Sequence, residues 1–255
     1  MTMLKLYSAD SQPAVPERKG FWLTSLWNAR QKNLSLADPV DQARSEFDAW
    51  SRSYDRSLLQ KVFFGPSHRL MLQQISVNDH RVLDIGCGTG RWAELVVNRL
   101  PHAQVWGLDL SDKMLEHAAV RAREYPGRMH FTHGNSQELP YEDGSFDLVT
   151  CSHSFHHYPD QLRVVKEMRR VLKPSGRVML VDGCRDTFWG WFIFDGLVTW
   201  AEGHVHHCSK GLVQTMFREA GFESATQIIH RYPVPYLLTM GTVPAEKSQR
   251  LRMAA

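Results

Sequence analysis

The chain has 255 residues, 43% hydrophobic and 22% charged, enough for one sizeable core with an appended cap. Its 30 basic and 27 acidic side chains leave a net charge of +3, spread along the sequence with no long basic block, so nucleic acid is not an expected partner. Four widely spaced cysteines, Cys87, Cys151, Cys184 and Cys208, lack the density of a disulfide scaffold and are expected as reduced thiols in the cytoplasm.

Residues 1 to about 38 mix prolines and polar residues with scattered aromatics such as Phe21, Trp22 and Trp27, and hold no period. Neither a leader nor an apolar run of about 18 residues is found, so no membrane span is expected. From Asp41, Ala43, Phe47, Trp50 and Tyr54 recur at helical steps, and a second helical segment runs from about Ser67 to Ile75. Residues 1–76 are therefore expected as an arm with cap helices, and 77–255 as the main domain.

The pattern then alternates: strand 81–85, helix 91–100, strand 104–109, helix 112–124, strand 129–133, strand 146–151, helix 160–172 and strand 177–182. Such alternation predicts βαβ crossovers and an α/β, Rossmann-like, doubly wound sheet. Pro101, Pro126-Gly127 and Lys173-Pro174-Ser175-Gly176 stop the helices where strands must begin. After Asp182 an aromatic run, Phe188 to Phe194, and a histidine-rich stretch break the rhythm, so 185–207 is expected as an insertion after strand 5. Helix 209–220 and strands near 223–231 and 234–242, turned at Tyr232-Pro233, complete seven strands, mostly parallel with the last antiparallel.

The organising stretch is Val82-Leu83-Asp84-Ile85-Gly86-Cys87-Gly88-Thr89-Gly90, a buried strand ending in three glycines at alternate positions. Such a turn brings bare backbone against a ligand. A dinucleotide fingerprint would place its third glycine at 91, where this chain has Arg91, which disfavours an NAD-dependent oxidoreductase. Asp109, 19 residues after Gly90, closes the second strand where a carboxylate can accept from both ribose hydroxyls. A nucleoside without phosphate is the chemical inference.

These residues resemble the first motif of class I S-adenosylmethionine-dependent methyltransferases. Gly107 to Leu115, Gly134 to Asp147, Ser152 to Asp160 and Arg170 to Arg177 continue the resemblance in order, closest to the ubiquinone/menaquinone biosynthesis-like group. The resemblance implies that Asp84 and the turn of Gly86, Cys87, Gly88 and Gly90 meet the methionine moiety of S-adenosyl-L-methionine. It places Asp109 on the ribose, Leu110 and Met114 beside the adenine, and Asn135 and Ser136 at its edge. Cys151 and Ser152 join the cofactor side, and Tyr54 resembles a lid residue facing the sulfonium. Asn135 stands where the family usually has Asp, but an amide oxygen can still accept from the adenine amine.

The implied activity is methyl transfer to a small, apolar or aromatic acceptor, leaving S-adenosyl-L-homocysteine; a cofactor-binding regulator without turnover is the alternative. An acidic acceptor needs a base, and His153, just past the fourth strand, is the candidate because the resemblance would put an apolar residue there. His156 and His157 read first as architectural, with His157 also a substrate-side candidate. Trp189 and Trp191 of the aromatic run, with His204 and His207, are expected to line a cap over the acceptor; packing and a lipid-touching surface at 188–194 are the other readings. The run His204-Val205-His206-His207-Cys208 has metal-type donors but no paired motif elsewhere, and no metal is expected.

Overall fold

The computed structural model describes residues 64–198, 205–231 and 234–245, all within one compact unit. The expected helix around Asp41 to Tyr54, His204 and the Tyr232-Pro233 turn lie outside the described residues. Among the described residues no helix is long and apolar enough to cross a membrane.

The elements in order are α1 (Gly65–Leu72), β1 (Arg81–Ile85), α2 (Arg91–Arg99), β2 (Gln104–Asp109), α3 (Asp112–Ala122), β3 (Met129–His133), β4 (Phe146–Ser152), a 3₁₀ turn (Phe155–His157) and α4 (Gln161–Val171). β5 (Leu172–Gly183), α5 (Phe188–Gly190), a π-helix (Trp191–Val198), α6 (Lys210–Glu219), β6 (Ala225–His230) and β7 (Tyr236–Thr242) follow. The seven strands lie in the order β3-β2-β1-β4-β5-β7-β6. Every pairing is parallel except those of β7, which runs antiparallel to both neighbours.

Alternate residues of the central strands face opposite layers, as period-two pleating requires. Leu83 and Ile85 of β1, Val149 of β4 and Val178 and Leu180 of β5 enter one core with Val165 and Met168 of α4 and Phe217 of α6. Val82, Leu148 and Met179 enter the other with Met71 of α1 and Trp92, Val96 and Val97 of α2. Both faces of the sheet are therefore covered, which is why its central strands read as continuous apolar runs.

Helix starts follow the sequence. Ser111 Oγ accepts from Met114 N at 3.2 Å, Asp160 Oδ1 from Arg163 N at 2.9 Å, and Ser209 Oγ from Leu212 N at 3.3 Å. Each such cap contributes about 1 kcal/mol. One local expectation is corrected. Lys173 to Gly176 is not a free turn: β5 begins at Leu172, passes Ser175 at φ +64° and meets β4 through a register shift between Phe146 and Leu148. The aromatic run is helical, because Thr187 Oγ1 accepts from Gly190 N at 3.0 Å and starts a turn that continues as a π-helix.

Candidate active site

β2 and β4 flank β1, so chain order reverses between β1 and β4, and the carboxyl ends there open a crevice. Gly86, Gly88 and Gly90 all have positive φ, at 69°, 52° and 77°. A Cβ at Gly86 would overlap the Ser154 hydroxyl and stand 2.7 Å from the Tyr158 hydroxyl. The N–H groups of Gly86 and Cys87 donate to Leu108 O at 2.8 and 3.1 Å, tying the turn to β2. Only glycine meets those dihedrals without strain.

Asp109 accepts from Gly88 N at 2.7 Å through one oxygen and from Ser111 N at 2.9 Å through the other. The backbone of Leu110 also bonds this carboxylate, and not all of its lone-pair sites are taken. Burial raises the Asp109 carboxyl above its usual range, against these hydrogen bonds. An open cavity of about 730 Å³ lies in front, bounded by Asp109, Leu110, Met114, Asn135 and Ser136 on one side and Ser152, His153 and His157 on the other.

A second cavity, about 360 Å³, shares Gly86, Gly88 and Ser152 with the first and adds Phe64, His68, Asp84, Cys87 and Arg91. Asp84 is buried, and Thr150 Oγ1 donates to it at 2.9 Å. Burial, with a further push from Asp109, lifts its carboxyl to about 7 despite that bond. His68 Nε2 lies 3.0 Å from Ser152 Oγ, and burial, then His153 and Arg91, push its imidazole down to about 3. Arg91, His68 and Phe64 were not among the expected site residues. Arg91 entered the sequence argument only as a missing glycine, and α1 carries no motif that announces a site.

His153 follows β4 at φ +53°, a left-handed conformation that costs a side chain roughly 1–2 kcal/mol. Its Nε2 is 2.7 Å from Ser67 Oγ, and burial, with Asp182 opposing and His156 adding, holds the ring down at about 4. Behind it His156 Nδ1 lies 2.7 Å from Asp182 Oδ1, and His156 N donates to Asp182 Oδ2 at 2.9 Å. Burial alone would raise Asp182, but the charge and hydrogen bond of His156 hold it well below the carboxylate range. Burial and the charge of His156 hold His157 well below the usual imidazole value.

His207 is buried and stacks on His156, ring centroids 4.4 Å apart and planes 15° apart. Donor atoms of His156, Asp182 and His207 all lie within 4.8 Å of one another. An ion must sit in the plane of each imidazole about 2.0–2.1 Å from its nitrogen, and two nearly parallel stacked rings do not converge on such a point. His156 and Asp182 are packed as a hydrogen-bonded pair under an imidazole lid, His207. Cys208, adjacent in sequence, instead donates to Gln161 Oε1 at 2.9 Å.

Other expected residues are placed differently. Cys151 lies fully buried under the turn, its Sγ 3.2 Å from Ser154 Oγ, and lines neither cavity; Gly90 caps α2 rather than reaching a cavity. His207 packs between His156 and Phe194 rather than lining either cavity. Trp189 and Trp191 are corrected from cap lining to surface, 66% and 55% exposed on α5 and the start of the π-helix. The insertion turns its large apolar faces outward because Phe194, not the tryptophans, fills the space over Gly183 and against His207. Tyr54 and His204 lie outside the described residues.

A doubly wound sheet with β7 antiparallel between β5 and β6, and its crevice beside β1, is the fold of the class I methyltransferases. Residues 82–176 match a family model described as a methyltransferase domain, and the chain is related to the S-adenosylmethionine-dependent methyltransferases of that class. It is 32% identical over 153 residues to the demethylmenaquinone methyltransferase of Staphylococcus haemolyticus, covering 58% of this chain and 63% of that protein. It is 43% identical over 154 residues to that of Lactococcus lactis, covering 58% and 60%. The chain thus spans less than two thirds of the length of these relatives. An S-adenosylmethionine-dependent methyltransferase of Thermotoga maritima, at 22% identity, covers 78% of this chain and 98% of its own with a TM-score of 0.64, a likeness of fold.

Proposed function

We propose that this chain is an enzyme that transfers the methyl group of S-adenosyl-L-methionine to a small apolar or aromatic molecule, releasing S-adenosyl-L-homocysteine. The observation that carries the reading is the pair of adjoining cavities, which meet at Gly86, Gly88 and Ser152 with Asp109 in one and Asp84 and Arg91 in the other. A nucleoside with an amino-acid tail needs that division: hydrogen-bond acceptors for a diol at one end, and a carboxylate with a guanidinium at the other.

When bound, the sulfonium supplies an electrophilic methyl. Asp109 would take the ribose hydroxyls on its remaining lone pairs, Leu110 and Met114 the adenine faces, and Asn135 and Ser136 the adenine edge. Asp84 and Arg91 complement the ammonium and carboxylate of the tail, with Cys87 and the turn backbone alongside. Tyr54 is kept as a lid residue and His204 as a substrate-side residue from the sequence. His157 and His153 face the acceptor side of the larger cavity, His153 as the base. The relatives named above, methyltransferases of demethylmenaquinone, favour an aromatic ring as acceptor.

The ridge of Phe188, Trp189, Trp191 and Phe192, all exposed, is the surface through which the enzyme would touch a lipid bilayer holding an apolar acceptor. Four free thiols, all buried, fit a cytoplasmic protein. Calorimetry tests the cofactor: S-adenosylmethionine and S-adenosylhomocysteine should bind and NAD should not. Binding of NAD alone would overturn the proposal, and cofactor binding without any methylated product across aromatic acceptors would make the chain a regulator.

A further inference from the structure

Ser67, on α1, is fully buried, and among its contacts with described residues its hydroxyl meets two groups of known character. Phe64 O, 2.9 Å away, is a carbonyl and can only accept, so the single Ser67 proton is directed there. The 2.7 Å contact between Ser67 Oγ and His153 Nε2 is then one in which Nε2–H donates and the serine accepts. A neutral imidazole carries one proton, so the lone pair falls on Nδ1, which makes no hydrogen bond among the described residues. The ring is held at this setting by Phe64 edge-on at 4.8 Å, by Tyr236 at 6.3 Å, and by a backbone bond from His153 N to Val181 O at 2.9 Å. Burial keeps the imidazole neutral at physiological pH, the opposing pull of Asp182 and the push of His156 included.

From this geometry we infer that Ser67 is a positioning residue that locks His153 as the Nε2–H tautomer, making Nδ1 the proton acceptor for a methyl acceptor that bears an ionisable hydroxyl. The inference rests on the methyl-transfer reading above. In the step it implies, Nδ1 takes the proton of a phenolic or enolic O–H while an electron pair of that acceptor, on oxygen or on the conjugated carbon, forms the new bond to the methyl carbon. The bond from that carbon to sulfur breaks with its pair remaining on sulfur. For attack through carbon, the ring proton is then lost to solvent as aromaticity returns. The imidazolium produced keeps its Nε2–H on Ser67, so the ring need not turn during the reaction. A tertiary amine, which has no proton to give, gains nothing from this arrangement.

The lock is read without turnover by nitrogen-15 NMR of the histidine rings in the full chain, with His153 assigned by its loss in His153→Gln. The expected result is a protonated Nε2 and a lone pair on Nδ1 in the wild type, and a mixture of tautomers in Ser67→Ala. An Nδ1–H tautomer in the wild type, or an unchanged ring in Ser67→Ala, would overturn the lock. In turnover, Ser67→Ala should lower kcat by roughly 10²-fold with cofactor affinity unchanged, and Ser67→Thr should restore it, since threonine supplies the same hydroxyl. A folded Ser67→Ala with full kcat overturns the positioning role. A hydroxynaphthalene and its dimethylamino counterpart test the acceptor class: methylation of the amine alone would overturn it. If the wild type binds no S-adenosylmethionine while the Nε2–H tautomer is still observed, it is the methyl-transfer reading that has failed.

Discussion

Two groups of buried titratable residues meet at the crevice, and they are built in opposite ways. At the ends of β1 and β2, Asp84 and Asp109 are carboxylates that burial pushes upward. At the ends of β4 and β5, His153, His157 and His207 are imidazoles that burial pushes downward. The first group sits within one βαβ unit, with Thr150 of β4 added at Asp84, and Asp109 is bonded to the backbone of the glycine turn that Asp84 precedes. The second is drawn from α1, β4, the 3₁₀ turn, β5 and the insertion, with Ser67 and His153 86 positions apart. Local construction makes a binding cradle legible as spacing, whereas a cluster gathered from five segments leaves no spacing to read.

The comparison can be broken most forcefully at the turn. Gly86→Ala forces a side chain into positive φ and onto Ser154, and should destabilise the fold by roughly 2–4 kcal/mol and abolish cofactor binding. Calorimetry and a thermal melt check both; retained affinity would show that the turn is not the cradle. The next effect is a pH slope. Asp84 goes from 3.8 to about 7 on folding, so its contribution is fully present below pH 3.8 and is lost as pH rises through about 7. The loss amounts to about 4 kcal/mol at most, and Asp84→Asn should remove it in denaturation series across that window.

Asp109→Ala should weaken S-adenosylmethionine binding by roughly 1–3 kcal/mol with little change in the acid-side behaviour of the histidines. Unchanged affinity in that variant would place the ribose elsewhere. The smallest effect has the reverse pH sign. His207 falls from 6.5 to about 4 in the folded chain, mainly through burial and then the charge of His156. Its unfolded form takes up a proton first, so stability is lost as pH falls from 6.5 toward 4. His207→Phe should flatten that acid slope by about 1 kcal/mol at pH 6 while keeping the stack on His156. Should both variants alter the same limb, the two groups would be one coupled network rather than two.

Much of the sheet was legible because parallel strands buried on both faces are apolar runs bounded by helix caps, and Ser111, Asp160 and Ser209 do cap as their types suggest. The boundary at Lys173 to Gly176 was less legible, since Pro and Gly mark a turn whether it ends an element or merely kinks one. The insertion was misread in a more instructive way. An aromatic run can line a pocket or stand on a surface, and sequence period alone does not say which. Gly190 fits against Cys184 O with no room for a Cβ, and that seating rotates Trp189 and Trp191 outward while Phe194 goes in.

By itself the sequence determined the order of the seven strands along the chain, the glycine turn and the carboxylate one strand away, because these depend on local dihedral freedom and on side-chain periods of two and 3.6. Only the tertiary structure decided that Arg91 and His68 share a cavity with Asp84, that His156 pairs with Asp182 under His207, and that a buried serine on α1 holds the ring of His153. Those contacts join residues with no common period, and their protonation states follow from burial, which a linear string does not contain.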